Sequence, residues 1–242
     1  MTTPVRAPGA PRQALRETCR AVAGRIPLWP YHRARLVAGG CTGAVLEQVE
    51  EAALAAAAEW EGPRSPRVRL SLTVSSDGAV AVDARRRLSS LDVPGGPIAV
   101  RVDVVDQPPL PAGAAKPADR SWWDEAQRRA VFEGGHQAII VSPDGLIIDG
   151  GSATVWVVEG ATIVTPPSPP AVAGVARAFL MQAAPDTHLH IKVEPLSWER
   201  FLAADEAFLT NAFGAAVGIR DRGGFFLRAV ESIFDEMWRH SI

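Results

Sequence analysis

Only two of the 25 basic residues are lysines, Lys116 and Lys192, so chemistry that needs a side-chain amine has two candidates. An amine attacks a carbonyl only when unprotonated, which asks for surroundings that disfavour its charge. Lys116 lies near the end of a segment rich in proline, glycine and alanine (DQPPLPAGAAKPA, 106–118), the composition of a linker or of a loop lying over a site. Lys192 falls in an alternating stretch, His190-Ile191-Lys192-Val193, where a solvated strand charge is the simplest account. Asp149 precedes Gly150-Gly151, a place where aspartate serves a turn as readily as it serves chemistry. His188 and His190 share one strand face without an evident third ligand, and Cys19 and Cys41 form no Cys-x-x-Cys pair, so no metal site is expected and both thiols read as small buried groups. The run Arg85-Arg86-Arg87 reads as a solvated loop, with the alternative that one of the three meets a substrate carboxylate. Trp122 and Trp123 open a helix and read as core.

Four blocks recur in a recognisable order. The first joins Glu17-Thr18-Cys19-Arg20, Gly24-Arg25 and His32-Arg33-Ala34-Arg35-Leu36. The second runs from Asp144 to Gly151, and the third joins Thr165-Pro166-Pro167 to Gly174-Val175-Ala176-Arg177. The fourth, Ser197 to Asn211 (SWERFLAADEAFLTN), is the most specific. Together they resemble the class IV aminotransferases, the fold type IV enzymes of pyridoxal 5′-phosphate, which include 4-amino-4-deoxychorismate lyase, branched-chain aminotransferase and D-amino acid aminotransferase. The resemblance implies that Lys116, followed by Asp119-Arg120 where the family has Asn-Arg, forms the imine with the cofactor aldehyde and shuttles protons. Asp149 would keep the pyridine nitrogen protonated, one methylene shorter than the family's usual glutamate. Gly174, Val175 and Ala176 would form the phosphate turn at a helix N-terminus, with alanine in place of a frequent threonine, and Arg35 and Asn211 would complete the cradle. His32 would be a structural partner inside its motif. Thr154 stands where an asparagine is common, the tyrosine that some family aminotransferases carry after the lysine is absent, and Arg12 to Arg16 replaces a longer N-terminal segment.

The resemblance further implies an α/β (α+β) architecture of two domains, a small N-terminal α+β domain (1–105), a linker (106–118) and a larger C-terminal cofactor-binding domain (119–242), rich in strands with flanking helices, assembled as a homodimer. The activity it implies is a lyase like 4-amino-4-deoxychorismate lyase, which releases pyruvate to leave 4-aminobenzoate for folate. The alternatives are an aminotransferase for branched-chain or D-amino acids, and a non-catalytic relative.

The residues must be positioned by elements that local pattern announces. Val68, Leu70, Leu72 and Val74 alternate with polar residues and Ser76-Asp77-Gly78 turns the chain into Ala79 to Val82, a hairpin pattern. Ile98 to Val105 alternates again as a third strand of the same unit, and Ile26 to Trp29 reads as a strand or its exit. Helical spacing runs from Thr42 to Trp60; Asp119 is placed to cap a helix ending at Gly134-Gly135. Short strands and helices then alternate to a final helix at Phe226 to Arg239. With 242 residues, 47% of them hydrophobic, the chain can bury a real core, and a net charge of -2 leaves no field to hold nucleic acid or an anionic membrane. No stretch reaches the roughly 18 apolar residues of a membrane span, and the first eleven residues lack an apolar signal core. A cytoplasmic enzyme with a small-molecule substrate is expected.

Overall fold

A computed structural model describes residues 7–60 and 67–239. The chain divides into two compact units, the first holding 7–60, 67–88, 110–119 and 237–239, the second holding 89–109 and 120–236.

The first unit is built on one antiparallel sheet, β1 (Leu15–Ala21), β2 (Val68–Val74) and β3 (Val80–Arg86), with β2 in the centre. Both β1 and β2 bury every second residue, Leu15, Glu17, Cys19 and Ala21 on one and Val68, Leu70, Leu72 and Val74 on the other, as the two-residue period of a strand requires. Two helices cover that face, α1 (Trp29–Ala38) and α2 (Gly43–Ala58), and Val45, Leu46, Val49, Ala53 and Ala57 of α2 join its core. Each fully buried leucine in this layer stabilises it by about 1.5–3 kcal/mol. Ile26 to Trp29, expected as a strand or its exit, follows the end of β1 and leads into α1, whose first turn carries Pro30, a residue suited to a helix start because the missing N–H has no partner there. Cys19 and Cys41 are both fully buried. The arginine run is not a loop: Arg85 and Arg86 belong to β3, where Arg85 pairs with Arg69.

The second unit holds two sheets. One has β4 (Ala99–Asp103), β5 (Gln137–Val141) and β6 (Ile147–Gly150); the other runs in the order β11 (Ala215–Gly218), β10 (Glu206–Asn211), β7 (Thr154–Glu159), β8 (Thr162–Thr165), β9 (His190–Val193). The strand expected at Ile98 to Val105 exists as β4, but it pairs in parallel with β5 rather than joining β1–β3. Alternation announces a strand without naming its partner, and the chain between β4 and β5 includes α3 (Ser121–Phe132), as a parallel pair needs. Helix α3 begins one residue later than the Asp119 cap predicts, with Arg120 at its N-cap. The remaining helices are α4 (Val175–Ala183), α5 (Trp198–Ala203) and α6 (Phe225–Arg239). Strands β5 and β6 are buried throughout and β7 and β10 bury all but their last residue, so they read as apolar runs rather than alternations. Among the described residues no helix is long and apolar enough to cross a membrane, and no cluster of three or more His, Cys, Asp or Glu could hold a metal ion.

Candidate functional site

In the first unit the residues converge on β1. Its backbone is bound by the segment that carries the lysine: the Arg16 N–H donates to the Lys116 carbonyl (3.0 Å) and the Ala118 N–H to the Ala14 carbonyl (2.8 Å). That short antiparallel contact fixes where the lysine side chain starts. Gly113 makes the approach possible, since it adopts φ 62° and a Cβ there would meet the Cβ of Ala38 at 2.5 Å. Lys116 is half-buried and its Nζ donates to Thr18 Oγ1 at 3.2 Å.

Glu17, next to Thr18, points to the opposite face, where the helices lie. Its carboxylate, 2% exposed, accepts from Arg35 Nε (2.8 Å), from Arg35 Nη2 and from His32 Nδ1 (2.6 Å). His32 and Arg35 project from α1, three residues apart on one helix face. Burial pushes the Glu17 carboxyl up, but the Arg35 and His32 charges and their hydrogen bonds outweigh it and hold the group down at about 2. Burial lowers His32 despite the opposing pull of Glu17, and its Nε2 is buried without a hydrogen-bond partner. A guanidinium held on two nitrogens by a buried carboxylate cannot swing, which is what a fixed anion contact needs. Arg35 and Lys116 both act electrostatically on Cys19 and His32, so the two predicted cations share one neighbourhood.

In the second unit the predicted residues gather at the C-terminal end of β6 and the start of α4. Asp149, 7% exposed, accepts from its neighbour's Gly150 N–H (2.9 Å), from the Val172 N–H (3.1 Å) and from Trp123 Nε1 (3.3 Å). Burial pushes its carboxyl up to about 6; the Val172 amide, the Arg120 charge, the Gly150 amide and the Trp123 indole oppose that rise. A carboxylate has about four lone-pair positions, so three donors leave one for a ligand cation. Arg120 is itself fixed, donating to the Gly151 carbonyl (2.8 Å) with its guanidinium 4.5 Å from the Trp123 ring. The Val172 contact ties Asp149 to the residues just ahead of α4, whose N-cap is Gly174 and whose first residues, Val175 and Ala176, are buried. A Cβ on Gly174 would meet Thr154 Oγ1 at 2.5 Å, and Thr154 pairs with Thr210 on β10. Asn211 ends β10; its Oδ1 accepts from the Phe213 and Gly214 N–H groups (3.1 and 2.6 Å) and its Nδ2 donates weakly to the Ser152 carbonyl (3.4 Å). Its amide therefore shapes the β10–β11 turn, and Nδ2 is the donor it has to offer.

Lys192 is exposed on β9, as expected of a solvated charge, and Trp123 is buried in the core. Three participants were missed in the sequence: Thr18 against the lysine, Glu17 behind Arg35, and Trp123 on Asp149. Adjacent Glu17 and Thr18 on one strand must face opposite ways, which was the available signal for the first two.

Asp149 makes a stability prediction. Its folded value of about 6 lies above its unpaired value of 3.8, so the folded state binds the extra proton and stability falls as pH rises through that window, staying lower above it. Asp149→Asn is expected to stabilise the cofactor-free protein at pH 8 by about 1–3 kcal/mol while impairing turnover; denaturant unfolding of both proteins checks it, and an unchanged or lower midpoint contradicts it.

The family Amino-transferase class IV matches residues 14–221. A branched-chain-amino-acid aminotransferase from Pseudomonas aeruginosa is 22% identical over 99 residues, 41% of this chain and 32% of that protein, so the match spans about a third of the relative's length. Among solved structures, a hypothetical aminotransferase from Mycobacterium tuberculosis in its PLP-bound form shares the fold at TM-score 0.78 with 19% identity, covering 95% of this chain and 90% of that one. A 4-amino-4-deoxychorismate lyase from Pseudomonas aeruginosa does so at TM-score 0.75 with 20% identity, covering 93% and 90%. With 208 of its 242 residues inside the match (14 to 221), the chain belongs to the class IV aminotransferases, fold type IV enzymes that work with pyridoxal 5′-phosphate.

Proposed function

We propose that this enzyme is a lyase of the 4-amino-4-deoxychorismate type, eliminating pyruvate to leave 4-aminobenzoate, with Lys116 as the residue that holds the cofactor. The observation that carries the lysine assignment is its Nζ set on Thr18 Oγ1 in a half-buried position, on the strand whose adjacent residue, Glu17, holds Arg35 from the other face. Bound pyridoxal phosphate supplies a ring that accepts the electrons left when a bond at the substrate's amine-bearing carbon breaks. Everything else falls to the chain. Lys116 Nζ takes the proton from that carbon, and Thr18 Oγ1 steers it. In the first unit Arg35, fixed by Glu17, would offer a contact to an anion such as the phosphate; in the second, the N–H groups at Gly174, Val175 and Ala176 would do so, with Asn211 Nδ2 as a further donor. Asp149 would keep the pyridine nitrogen of the bound cofactor protonated, and that cation would in turn favour the ionised form of a carboxyl that burial raises. The same residues suit an aminotransferase, and the partial match to a branched-chain aminotransferase supports that second reading.

A substrate assay separates the two. The lyase reading expects pyruvate from 4-amino-4-deoxychorismate with no amino acceptor present. Amino transfer to 2-oxoglutarate without pyruvate release would replace it with the aminotransferase. The proposal extends to the family's homodimer in the cytoplasm, which sedimentation of the purified protein and fractionation of cells would check.

A further inference from the structure

Strand β3 borders the sheet of the first unit, and among the described residues no strand pairs with its outer side. The opposite edge, along β1, is met by the lysine segment through the bonds at Ala14 and Arg16. At seven residues β3 is the longest edge left open among the described residues, the bordering strands of the second unit being four or five residues long. Its pairing with β2 runs from Val68 and Arg86 to Val74 and Val80 without a bulge, and it holds no proline or lysine. An exposed edge of that length invites another strand unless charge, proline or a bulge turns it away. The Ser75 N–H donates to the Ala79 carbonyl at 2.9 Å, so Ala79 and every second residue beyond it, Ala81, Asp83 and Arg85, turn their backbone groups to β2. The N–H and C=O groups of Val80, Val82, Ala84 and Arg86 therefore face outwards along the open edge.

The charges along this edge are of both signs, and their spacing selects an occupant. Asp83 and Arg85 are exposed on one face, two residues apart, and pair with each other at 2.8 Å. We propose that the edge takes the same strand of a second copy of this chain, antiparallel, with Ala84 opposite the partner's Ala84 on a twofold axis. In that register Asp83 lies opposite the partner's Arg85 and Arg85 opposite the partner's Asp83, so each charge has one opposite charge on its own strand and another across. The outward groups of Ala84 exchange both hydrogen bonds with their counterparts, while the charged pairs take the closer sites, about 4.5 Å apart between Cα atoms. Sliding by two residues either way sets Asp83 against the partner's Asp83 or Arg85 against the partner's Arg85, and like charges directly opposite weaken a sheet. A slide of one residue sets outward backbone groups against inward ones. A strand of another protein would have to carry the same reversed pattern; a second copy carries it by symmetry. Such a contact uses both edges, so it closes at two copies rather than growing into a fibre. It is independent of the catalytic assignment and adds to any association formed elsewhere on the chain.

Sedimentation of the full chain over a concentration series, with two charge reversals, tests it. Asp83→Arg leaves only positive charge at the two sites and Arg85→Asp only negative, so each alone is expected to weaken this association step by at least about tenfold. Mixed in equal amounts the two variants complement each other, and the step should return to within about threefold of its strength in the unaltered protein. Both side chains are exposed, so neither change disturbs the core. Oxidation reads the register. Ala84→Cys should give a disulfide-linked pair, its Cα atoms lying about 5.5 Å apart, whereas Arg87→Cys, about 20 Å from its counterpart, should not. Reversals that leave association unchanged, a mixture that does no better than its components, or cross-linking at Arg87→Cys and not at Ala84→Cys would each overturn the inference. A protein that shows no association step sensitive to these residues overturns it as well, and leaves the edge to an extended segment of another protein.

Discussion

Replacing Lys116 by alanine is expected to lower turnover by roughly 10²- to 10⁴-fold or more, the range seen when a positioned proton-transfer group is removed, and to abolish the visible absorption of the lysine-bound cofactor. The loss should fall on the chemical step. The residues proposed to hold the phosphate are untouched by the change, so the variant should still take up the cofactor, with weaker affinity and an altered spectrum. Lys192→Ala serves as the control: its side chain is exposed on β9, and its removal should leave both rate and spectrum as they were. A Lys116→Ala protein that keeps near-normal turnover would remove the amine from the mechanism. Thr18→Val, which deletes the hydroxyl that steers Nζ, should show a smaller loss in the same direction.

The largest effect on stability is expected at Glu17. Glu17→Leu leaves the Arg35 guanidinium buried without its carboxylate and His32 without its acceptor, and breaking a buried pair from one side costs about 3–5 kcal/mol. For a chain of this size that corresponds to a fall in melting temperature of roughly 6–20 °C. The double variant Glu17→Leu with Arg35→Met should recover much of the loss, because it removes the buried charge that has lost its carboxylate, while still binding the cofactor phosphate poorly. Acid titration reads the same network. The Glu17 carboxyl sits at about 2 when folded and at 4.5 when unpaired, so its contribution, roughly 3 kcal/mol, is complete above about pH 5 and is lost as pH falls towards 2. His32, lowered by burial, adds in the same sense, because the unfolded chain takes up its proton first. Urea unfolding of the unaltered protein between pH 7 and 3 should show this decline, and Glu17→Leu should flatten it. A profile as steep in the variant would place the acid sensitivity elsewhere.

Much of the architecture could be read from the residues because each unit obeys a local rule somewhere. The alternation at Val68 to Val74 gave β2 and its hairpin to β3, and the alanine-rich periodic stretch gave α2. Helix α1 escaped because its buried positions include His32 and Arg35, polar residues that look solvated until Glu17, on a strand well before them in the chain, supplies their partner. Strand β4 was legible but its partner was not, since β5 lies beyond α3 and parallel pairing leaves no turn signal. Strand β11, four residues long and ending in glycine, was too short to stand out from the turn that Asn211 shapes. The site divided in the same way. Motif order proposes Lys116, Arg35, Asp149 and the Gly174 turn, but not the groups that contact them, because Thr18, Glu17 and Trp123 reach their partners across elements rather than along the chain.

Borohydride reduction of the protein with pyridoxal phosphate, followed by digestion and mass mapping, interrogates the central bond most directly. The account predicts one pyridoxyl adduct, on the peptide that contains Lys116. An adduct confined to Lys192, or no adduct on a protein saturated with the cofactor, would contradict it.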